Sequence, residues 1–159
     1  MSLVLCRIDD RLIHGQVVLG WGRPLAVQFI VLVDDEIAAS DWEQELYRMA
    51  VPPEIDVRFA TVAEAGGRLA EWAASPERGL LLTGEVETMA ALRRADPRAV
   101  SRINLGGLHH RPGRTERLPY VFLTDAEFRL LRDLAAEGAQ VSAQAVPTAA
   151  AVPLAELPA

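Results

Sequence analysis

The sequence predicts an α/β protein: a single open three-layer domain with a mostly parallel sheet of about seven strands and helices on both faces. Short apolar runs alternate with longer helical patterns along most of the chain, and this alternation favours such a sheet over a helix bundle or a β-sandwich. The run at residues 26–33, AVQFIVLV, is almost continuously apolar, as expected of a strand covered on both faces. With 159 residues and 50% hydrophobic content, the chain can bury one core without disulfides or metal.

Several short apolar segments are predicted as strands, because turn residues or charged residues bound them. In chain order they are Leu3–Ile8 and residues 26–33, 57–60, 79–82, 103–105, 120–123 and 140–146. Because longer helical patterns separate most of them, we expect parallel pairing through crossover helices.

Helix starts are indicated by Ser or Thr followed three residues later by Glu, because the two side chains can satisfy each other's free amide groups. The pattern occurs at Ser40 with Glu43, at Thr61 with Glu64 and at Thr124 with Glu127. These helices are expected to end at about residues 49, 74 and 137, the last one stopped by Gly138 in a left-handed conformation. Further helical segments are predicted over residues 85–94 and from residue 15 to about residue 21.

The last residues differ in composition from the rest of the chain. We expect a domain over residues 1–147 and an Ala/Pro-rich tail over residues 148–159. Prolines oppose both helix and sheet, so this tail is predicted to be frayed or a linker remnant. The tryptophans Trp21, Trp42 and Trp72 are assigned to packing or to partner surfaces.

Composition excludes several functional classes. Acidic residues outnumber basic ones 22 to 16, and the formal net charge of -6 argues against sequence-independent binding of nucleic acid or of an anionic membrane. The single cysteine, Cys6, excludes an internal disulfide and a multi-cysteine metal site, and we expect it to be a buried hydrophobe. No apolar stretch reaches membrane-spanning length, and the early charge at Arg7 argues against a signal peptide. We therefore expect a soluble cytoplasmic protein that uses neither a cofactor nor a metal.

One segment concentrates chemically useful side chains directly after the first strand, where open α/β sheets bind ligands. Residues 7–17 read RIDDRLIHGQV. The neutral imidazole of His14 can act as a nucleophile at physiological pH, provided that Asp9 or Asp10 holds the proton on its other nitrogen. Arg11 offers a bidentate fork for the oxygens of a phosphoryl group, and Arg7 is expected to meet phosphate as well. Taken singly, however, a surface histidine is commonly just solvated, and an Asp-Asp-Arg triplet is commonly a loop ion pair.

The residues after His14 extend this interpretation. Gly15 removes side-chain bulk beside the imidazole, and amides at the start of the helical segment, including that of Gln16, could receive a phosphate. Thr83, at the end of a predicted strand, could donate a hydrogen bond to phosphate or could simply cap the next helix.

A second group of basic residues, His109-His110-Arg111-Pro112-Gly113-Arg114, follows the glycines at residues 106–107. Its structural interpretation is a Pro-Gly turn between strands. Adjacent histidines on an extended chain point to opposite faces, so a shared metal is not expected. The segment continues through Thr115 and Glu116 to Arg117, and its three arginines and two histidines form a local positive patch that suits a phosphate or an acidic partner surface. Arg111 and Arg114 are expected to meet phosphate.

The string RIDDRLIHGQV resembles the signature of the IIB component of the mannose/fructose/sorbose family of the bacterial phosphoenolpyruvate-dependent sugar phosphotransferase system (PTS). The resemblance covers nearly the whole chain. It continues in order through VDDEIA at residues 33–38, AVPP at 50–53, NLGGL at 104–108, LTD at 123–125 and VP at 146–147. The chain departs from the family pattern at Thr83-Gly84-Glu85 and at His109-His110-Arg111.

The resemblance implies a phosphoryl relay. A phosphorylated IIA domain would donate to His14, and the phosphoryl group would pass to a sugar substrate carried by membrane IIC and IID components. Arg11 would stabilise the phosphate and Asp9 would be a supporting carboxylate. The activity would be that of a protein-N(pi)-phosphohistidine–sugar phosphotransferase. A regulatory phosphoprotein that reports phosphotransfer flux without transport is the alternative, and the identity of the sugar and a homodimer are left open. A nucleotide-binding module is disfavoured, because no glycine-rich loop follows the first strand.

Overall fold

The computed structural model describes residues 2–159, apart from the side chain of Gln16. Its strands are β1 (Leu3–Ile8), β2 (Phe29–Val33), β3 (Asp56–Ala60), β4 (Gly79–Thr83), β5 (Arg102–Leu105), β6 (Thr115–Leu118), β7 (Val121–Leu123), β8 (Gln140–Ala143) and β9 (Val152–Pro153). Seven of them form one sheet in the order β3-β2-β4-β1-β5-β8-β9. All neighbours in this sheet are parallel except β8 and β9. The predicted α/β class with a mostly parallel sheet is confirmed.

The helices are α1 (Asp35–Ala38), α2 (Asp41–Met49), α3 (Val62–Ala73), α4 (Val86–Ala95) and α5 (Asp125–Ala136). Both capping boxes that begin with Thr form as predicted, at Thr61 and at Thr124, and Gly138 has a φ of 108° after α5. Ser40 precedes α2 without a side-chain capping bond, so its part in the predicted cap is wrong. The helical segment after the first loop is a π-helix, Gln16–Gly22.

Two apolar cores lie on opposite faces of the sheet, which explains why β2 is apolar along its whole length. Phe29, Val31 and Val33 belong to the core that α3, α4 and α5 cover. Ile30 and Leu32 belong to the other core, which contains the π-helix. The alternation assigns successive side chains of one strand to two layers, so the predicted three-layer arrangement is confirmed.

The seventh strand of the sheet is not the predicted one. Residues 121–123 pair with β6 in a separate antiparallel hairpin, and the place at the sheet edge is taken by β9 from the tail, which pairs with β8. Leu154 and Leu157 are buried at 5% exposure each, so the expectation of a frayed tail is wrong for this part. The side chains of Leu154 and Leu157 lie beside α5 and belong to the core that α5 covers. The domain boundary after residue 147 stays a prediction.

Helix α2 is unusual because none of its residues is buried. Trp42, Leu46 and Met49, spaced so that they share one side of the helix, are 69%, 55% and 80% exposed. Trp21 and Trp72, in contrast, are core residues. Within residues 2–159, no helix has the length and apolar character that crossing a membrane requires.

Candidate functional site

The loop that follows β1 lies at the carboxyl edge of the sheet, between the ends of β4 and β5. The amide of Asp9 donates to the carbonyl of Thr83 at the end of β4 (2.9 Å), and the amide of Asp10 donates to the carbonyl of Gly107 beyond β5 (2.8 Å). Main-chain hydrogen bonds therefore fix the loop on both sides. The chain crosses from one side of β1 to the other between β4 and β5, and ligands of open α/β sheets bind at such switch points.

A buried carboxylate organises this loop. Asp9 accepts from Nε of Arg11 at 3.0 Å, from its Nη2 at 2.9 Å and from its main-chain amide at 3.1 Å. Nη2 of Arg7 lies 3.3 Å from the same carboxylate. Burial by itself raises the pKa of Asp9, but the hydrogen bonds and charges of the two arginines outweigh it and hold that pKa below its usual value. One negative charge thus lies between two positive charges, and the trio is net positive.

The guanidinium of Arg7 lies beneath this carboxylate and has no exposed surface. It donates to the side-chain oxygen of Asn104 and to the carbonyls of Gln144 and Ala145, and it stacks 4.6 Å from the ring centre of Trp21. Protein atoms surround the Arg7 guanidinium, which favours the supporting role over a direct contact with phosphate. It is placed instead to support the carboxylate that it contacts.

His14 is half-buried at the end of the loop. Partial burial, followed by the positive charge of Arg11, lowers the pKa of His14 below its usual value of 6.5, and Arg7 adds to this, whereas Asp9 acts in the opposite direction. The imidazole is therefore mostly neutral at physiological pH, which is the protonation state that a nucleophile requires. Which carboxylate holds the proton on the second nitrogen stays a prediction.

The chain turns into the π-helix directly after His14, and the amide of Val18 donates to the His14 carbonyl at 3.0 Å. Apart from its chain neighbours, a Cβ on Gly15 would meet no described atom within 4 Å, so the space at the Cβ position of Gly15 is open. The predicted contribution of Gln16 concerns a side chain outside the described part of the structure.

Asp10 does not share the environment of Asp9. It accepts from the main-chain amide of His109 at 2.7 Å, and Nδ1 of His109 lies 2.5 Å from its second oxygen. Behind it, Arg114 is 2% exposed and makes two hydrogen bonds, 3.1 and 2.9 Å long, to Glu127. The expectation that Arg114 meets phosphate is wrong, because the side chain is buried in this ion pair.

The remaining predicted residues lie around the same edge. Arg111 pairs with Glu85 at 3.1 Å and is 48% exposed. Thr83 is buried, and its hydroxyl accepts from the Glu85 amide at 3.5 Å. The N-terminal cap of α4 is Glu85, so the alternative that Thr83 caps this helix is wrong. His110 packs edge-on against Phe122, with ring centres 5.9 Å apart.

Sequence reasoning missed the roles of Asn104, Gly106 and Gly107 at this site. A Cβ on Gly106 would overlap the guanidinium of Arg7, and one on Gly107 would come within 3.0 Å of Nε of Arg11. Both glycines therefore make room for arginine side chains. The signal that could have found them was the pair of glycines directly after a strand, since such glycines commonly mark close approach of another group.

The sequence matches the family model of the PTS system sorbose subfamily IIB component over residues 3–158. The N-acetylgalactosamine-specific phosphotransferase enzyme IIB component 2 of Escherichia coli (strain K12) is 30% identical over 156 residues, which cover 98% of this chain and 98% of that protein. The mannose-specific EIIAB component of the same organism is 30% identical over 148 residues, which cover 93% of this chain and 46% of that protein. The crystal structure of the IIBSor domain of the sorbose permease from Klebsiella pneumoniae has a TM-score of 0.87 at 26% identity, covering 97% of this chain and 94% of that chain.

These similarities agree with the resemblance found in residues 7–17. The matched region includes the whole sheet and the loop that carries His14, and the fold agrees over nearly the full length of both chains. The chain therefore belongs to the sorbose subfamily of PTS IIB components, the phosphoryl-transfer components of sugar uptake.

Proposed function

We propose that His14 accepts a phosphoryl group from a phosphohistidine of a IIA domain and passes it to an incoming sugar. The observation that carries the proposal is the position of His14 on a loop fixed to the ends of β4 and β5, where partial burial and the positive charge of Arg11 lower the pKa of the imidazole. A neutral imidazole has a lone pair with which to attack phosphorus. A guanidinium matches the oxygens of the transferring group, on which negative charge is spread.

The bonds that form and break in the transfer involve only the two imidazoles, the phosphoryl group and the sugar hydroxyl. In the first step a ring nitrogen of His14 bonds to phosphorus while the bond from phosphorus to the donor nitrogen breaks. The donor leaves as a neutral imidazole that retains the proton on its other nitrogen, and His14 retains the single proton on its non-attacking nitrogen. In the second step a sugar hydroxyl oxygen bonds to phosphorus, the bond to His14 breaks, and the hydroxyl proton passes to solvent.

Arg11 is the residue that we assign to the phosphoryl oxygens, and Asp9 is the carboxylate that orients it through three hydrogen bonds. Arg7 supports Asp9 from below. Lesser supporting roles at the same edge are proposed for Asp10, Gly15, Gln16, Thr83 and Arg111.

The partners follow from family membership. The relative named EIIAB joins two components in one chain, and this chain matches 46% of its length, which supports a IIA domain as donor. A membrane IIC component is the partner at which sugar would be met, and we propose a IID component beside it. The site would work in the cytoplasm, with the activity of a protein-N(pi)-phosphohistidine–sugar phosphotransferase, and a homodimer is compatible with it.

The experiment is phosphorylation of the purified protein by a ³²P-labelled phosphorylated IIA domain, followed by mapping of the label. We expect acid-labile label on His14, no label in His14→Ala and normal labelling in His110→Ala, whose ring packs against Phe122. Acid-stable label, or label that persists in His14→Ala, would overturn the proposal.

The regulatory alternative receives no support from the relatives, whose names specify sugars. A regulatory protein would also be phosphorylated on His14, so the two functions differ only in whether the phosphoryl group is then transferred to a sugar. Release of label to a sugar in the presence of membranes that contain the partner components distinguishes them.

A further inference from the structure

The buried guanidinium of Arg7 is held by residues of the turn that follows β8. Nη1 of Arg7 donates to the side-chain oxygen of Asn104 and, at 2.9 Å, to the carbonyl of Gln144. Nη2 donates to the carbonyl of Ala145 at 3.2 Å. Both carbonyls belong to the turn that follows β8. Residues 144 and 145, the first two of the C-terminal segment (residues 144–159), thus lie directly against the guanidinium of Arg7.

The side chain of Gln144 holds this turn in place. Its Nε2 donates to the carbonyls of Pro147 (3.3 Å) and Ala149 (2.7 Å), and its Oε1 accepts from Nδ2 of Asn104 at 3.4 Å. Its main-chain amide donates to the carbonyl of Leu105. The side chain of Gln144 therefore holds the turn together, and the turn sets the direction of the Gln144 and Ala145 carbonyls that face the guanidinium of Arg7.

The far end of the C-terminal segment is anchored independently. Strand β9 pairs with β8, Leu154 and Leu157 are buried, and Nη1 of Arg117 donates to the carbonyl of Pro158 at 3.2 Å. The segment therefore stays on the protein if the hydrogen bonds of Gln144 are removed. Such a substitution changes the turn and not the docking of the tail.

We propose that Asn104 and Gln144 are positioning residues for phosphoryl transfer, which act through Arg7 and Asp9 on Arg11. The proposal rests on the proposed function of His14 and Arg11. Every link is a direct hydrogen bond: Asn104 donates to Gln144, Arg7 donates to Asn104 and to Asp9, and Arg11 donates to Asp9.

The physical reason is the precision that a guanidinium fork requires. A bidentate donor stabilises the transferring group only when both of its N–H groups are aligned, and a displacement of about 1 Å can cost on the order of 100-fold in rate. Arg11 is 33% exposed and is bonded to Asp9 by two of its guanidinium nitrogens. Its position is therefore set by Asp9, and that of Asp9 depends in part on the buried guanidinium below it.

The test measures phosphorylation of His14 by phosphoramidate, a small donor that needs no protein docking, in wild type, Gln144→Ala and Asn104→Ala. We expect kcat to fall about tenfold, with KM within about twofold, because misalignment weakens transition-state contacts most. Ser142→Ala, on the same strand, is the matched control, and Val141→Ala controls for lost stability in β8. Gln144→Met, which keeps the length of the side chain without its polar atoms, replaces an alanine variant that fails to fold.

A double variant separates positioning from a general structural effect. If Gln144 acts through Arg11, Gln144→Ala adds less than about twofold to the loss already caused by Arg11→Gln. Losses that multiply, an unchanged kcat in Gln144→Ala, or an equal loss in Val141→Ala would each overturn the proposal.

A second readout does not depend on phosphorylation. Nε of Arg11 donates to Asp9, so we expect its proton to exchange slowly enough with water to be followed by NMR. We expect that exchange to be at least about tenfold faster in Gln144→Ala and Asn104→Ala and unchanged in Ser142→Ala. If wild type takes no phosphoryl group on His14, the proposed function fails, whereas this comparison still decides whether Asn104 and Gln144 position Arg11.

Discussion

Replacing Asp9 by Asn tests the organisation of the site through protein stability. The Asp9 and Arg7 side chains have no exposed surface, and Arg11 is 33% exposed. Breaking a buried ion pair by removing one partner typically costs about 3–5 kcal/mol, because the other charge stays buried without compensation. Asn keeps one of the two acceptor oxygens, so we expect a loss of about 3 kcal/mol at pH 7. That corresponds to a fall in Tm of about 6–12 °C for a protein of this size.

The pH dependence of that loss has a definite sign. The pKa of Asp9 is lower in the folded protein than its usual value of 3.8. The stabilisation is therefore complete above the unfolded pKa and is lost as the pH falls through the folded pKa. Wild type and Asp9→Asn should differ by a constant amount above about pH 5, and the difference should begin to shrink as the pH falls below about pH 4.

Urea denaturation of both proteins between about pH 3 and pH 8 measures this difference. Asp56→Asn is the matched control, since Asp56 pairs with Arg58 at 2.9 Å but is 61% exposed, and its loss should stay below about 1 kcal/mol. A loss for Asp9→Asn of less than about 1 kcal/mol at pH 7, or a difference that grows in acid, would refute the reasoning.

Three further outcomes are expected. Arg11→Gln should slow phosphorylation of His14 about 100-fold without unfolding the protein and should raise the pKa of His14 by removing a nearby positive charge; a parental rate in rapid-quench assays, or an unchanged NMR titration, contradicts this. Gly106→Ala should destabilise the protein by about 2 kcal/mol, because its Cβ overlaps the guanidinium of Arg7. Gly67→Ala, in a helix with open space around it, should stabilise the protein by about 0.5–1 kcal/mol, and urea midpoints in the reverse order would disprove the packing argument. Cys6 is buried, which raises its pKa to about 12, so the native thiol should resist iodoacetamide at pH 8 and react in urea; rapid native labelling counts against its burial.

Features that depend on neighbouring residues were predictable from the sequence. The capping boxes at Thr61 and Thr124 formed because both partners lie within one helical turn. The continuous apolarity of β2 correctly indicated cover on both faces. Ser40 has the same sequence pattern, but its side chain makes no capping hydrogen bond. The pattern therefore allows a capping box to form but does not ensure it.

Features that depend on distant residues were not predictable. Nothing near residues 120–123 indicates that they pair with β6 instead of the main sheet, or that a Pro-rich tail supplies β9. The same holds at the site. His14, Arg11 and Asp9 lie within one short loop, and the sequence pointed to them. The burial of Arg7 depends on residues 104, 144 and 145, and that of Arg114 depends on Glu127. Because these partners are distant in sequence, the sequence alone predicted that both arginines would meet phosphate.

The distance along the chain between Arg7 and the turn after β8 also determines when the site can exist during synthesis. The hydrogen bond from Arg7 to the Gln144 carbonyl spans 137 residues, and translation at about 5–20 residues per second takes roughly 7–27 s to cover that interval. His14 therefore emerges well before the Gln144 and Ala145 carbonyls that hold Arg7. A nascent chain that has not yet reached residue 144 therefore carries His14 without the carbonyls that hold Arg7, and the hydrogen bonds beneath its loop are complete only after β8 and the turn that follows it have been made.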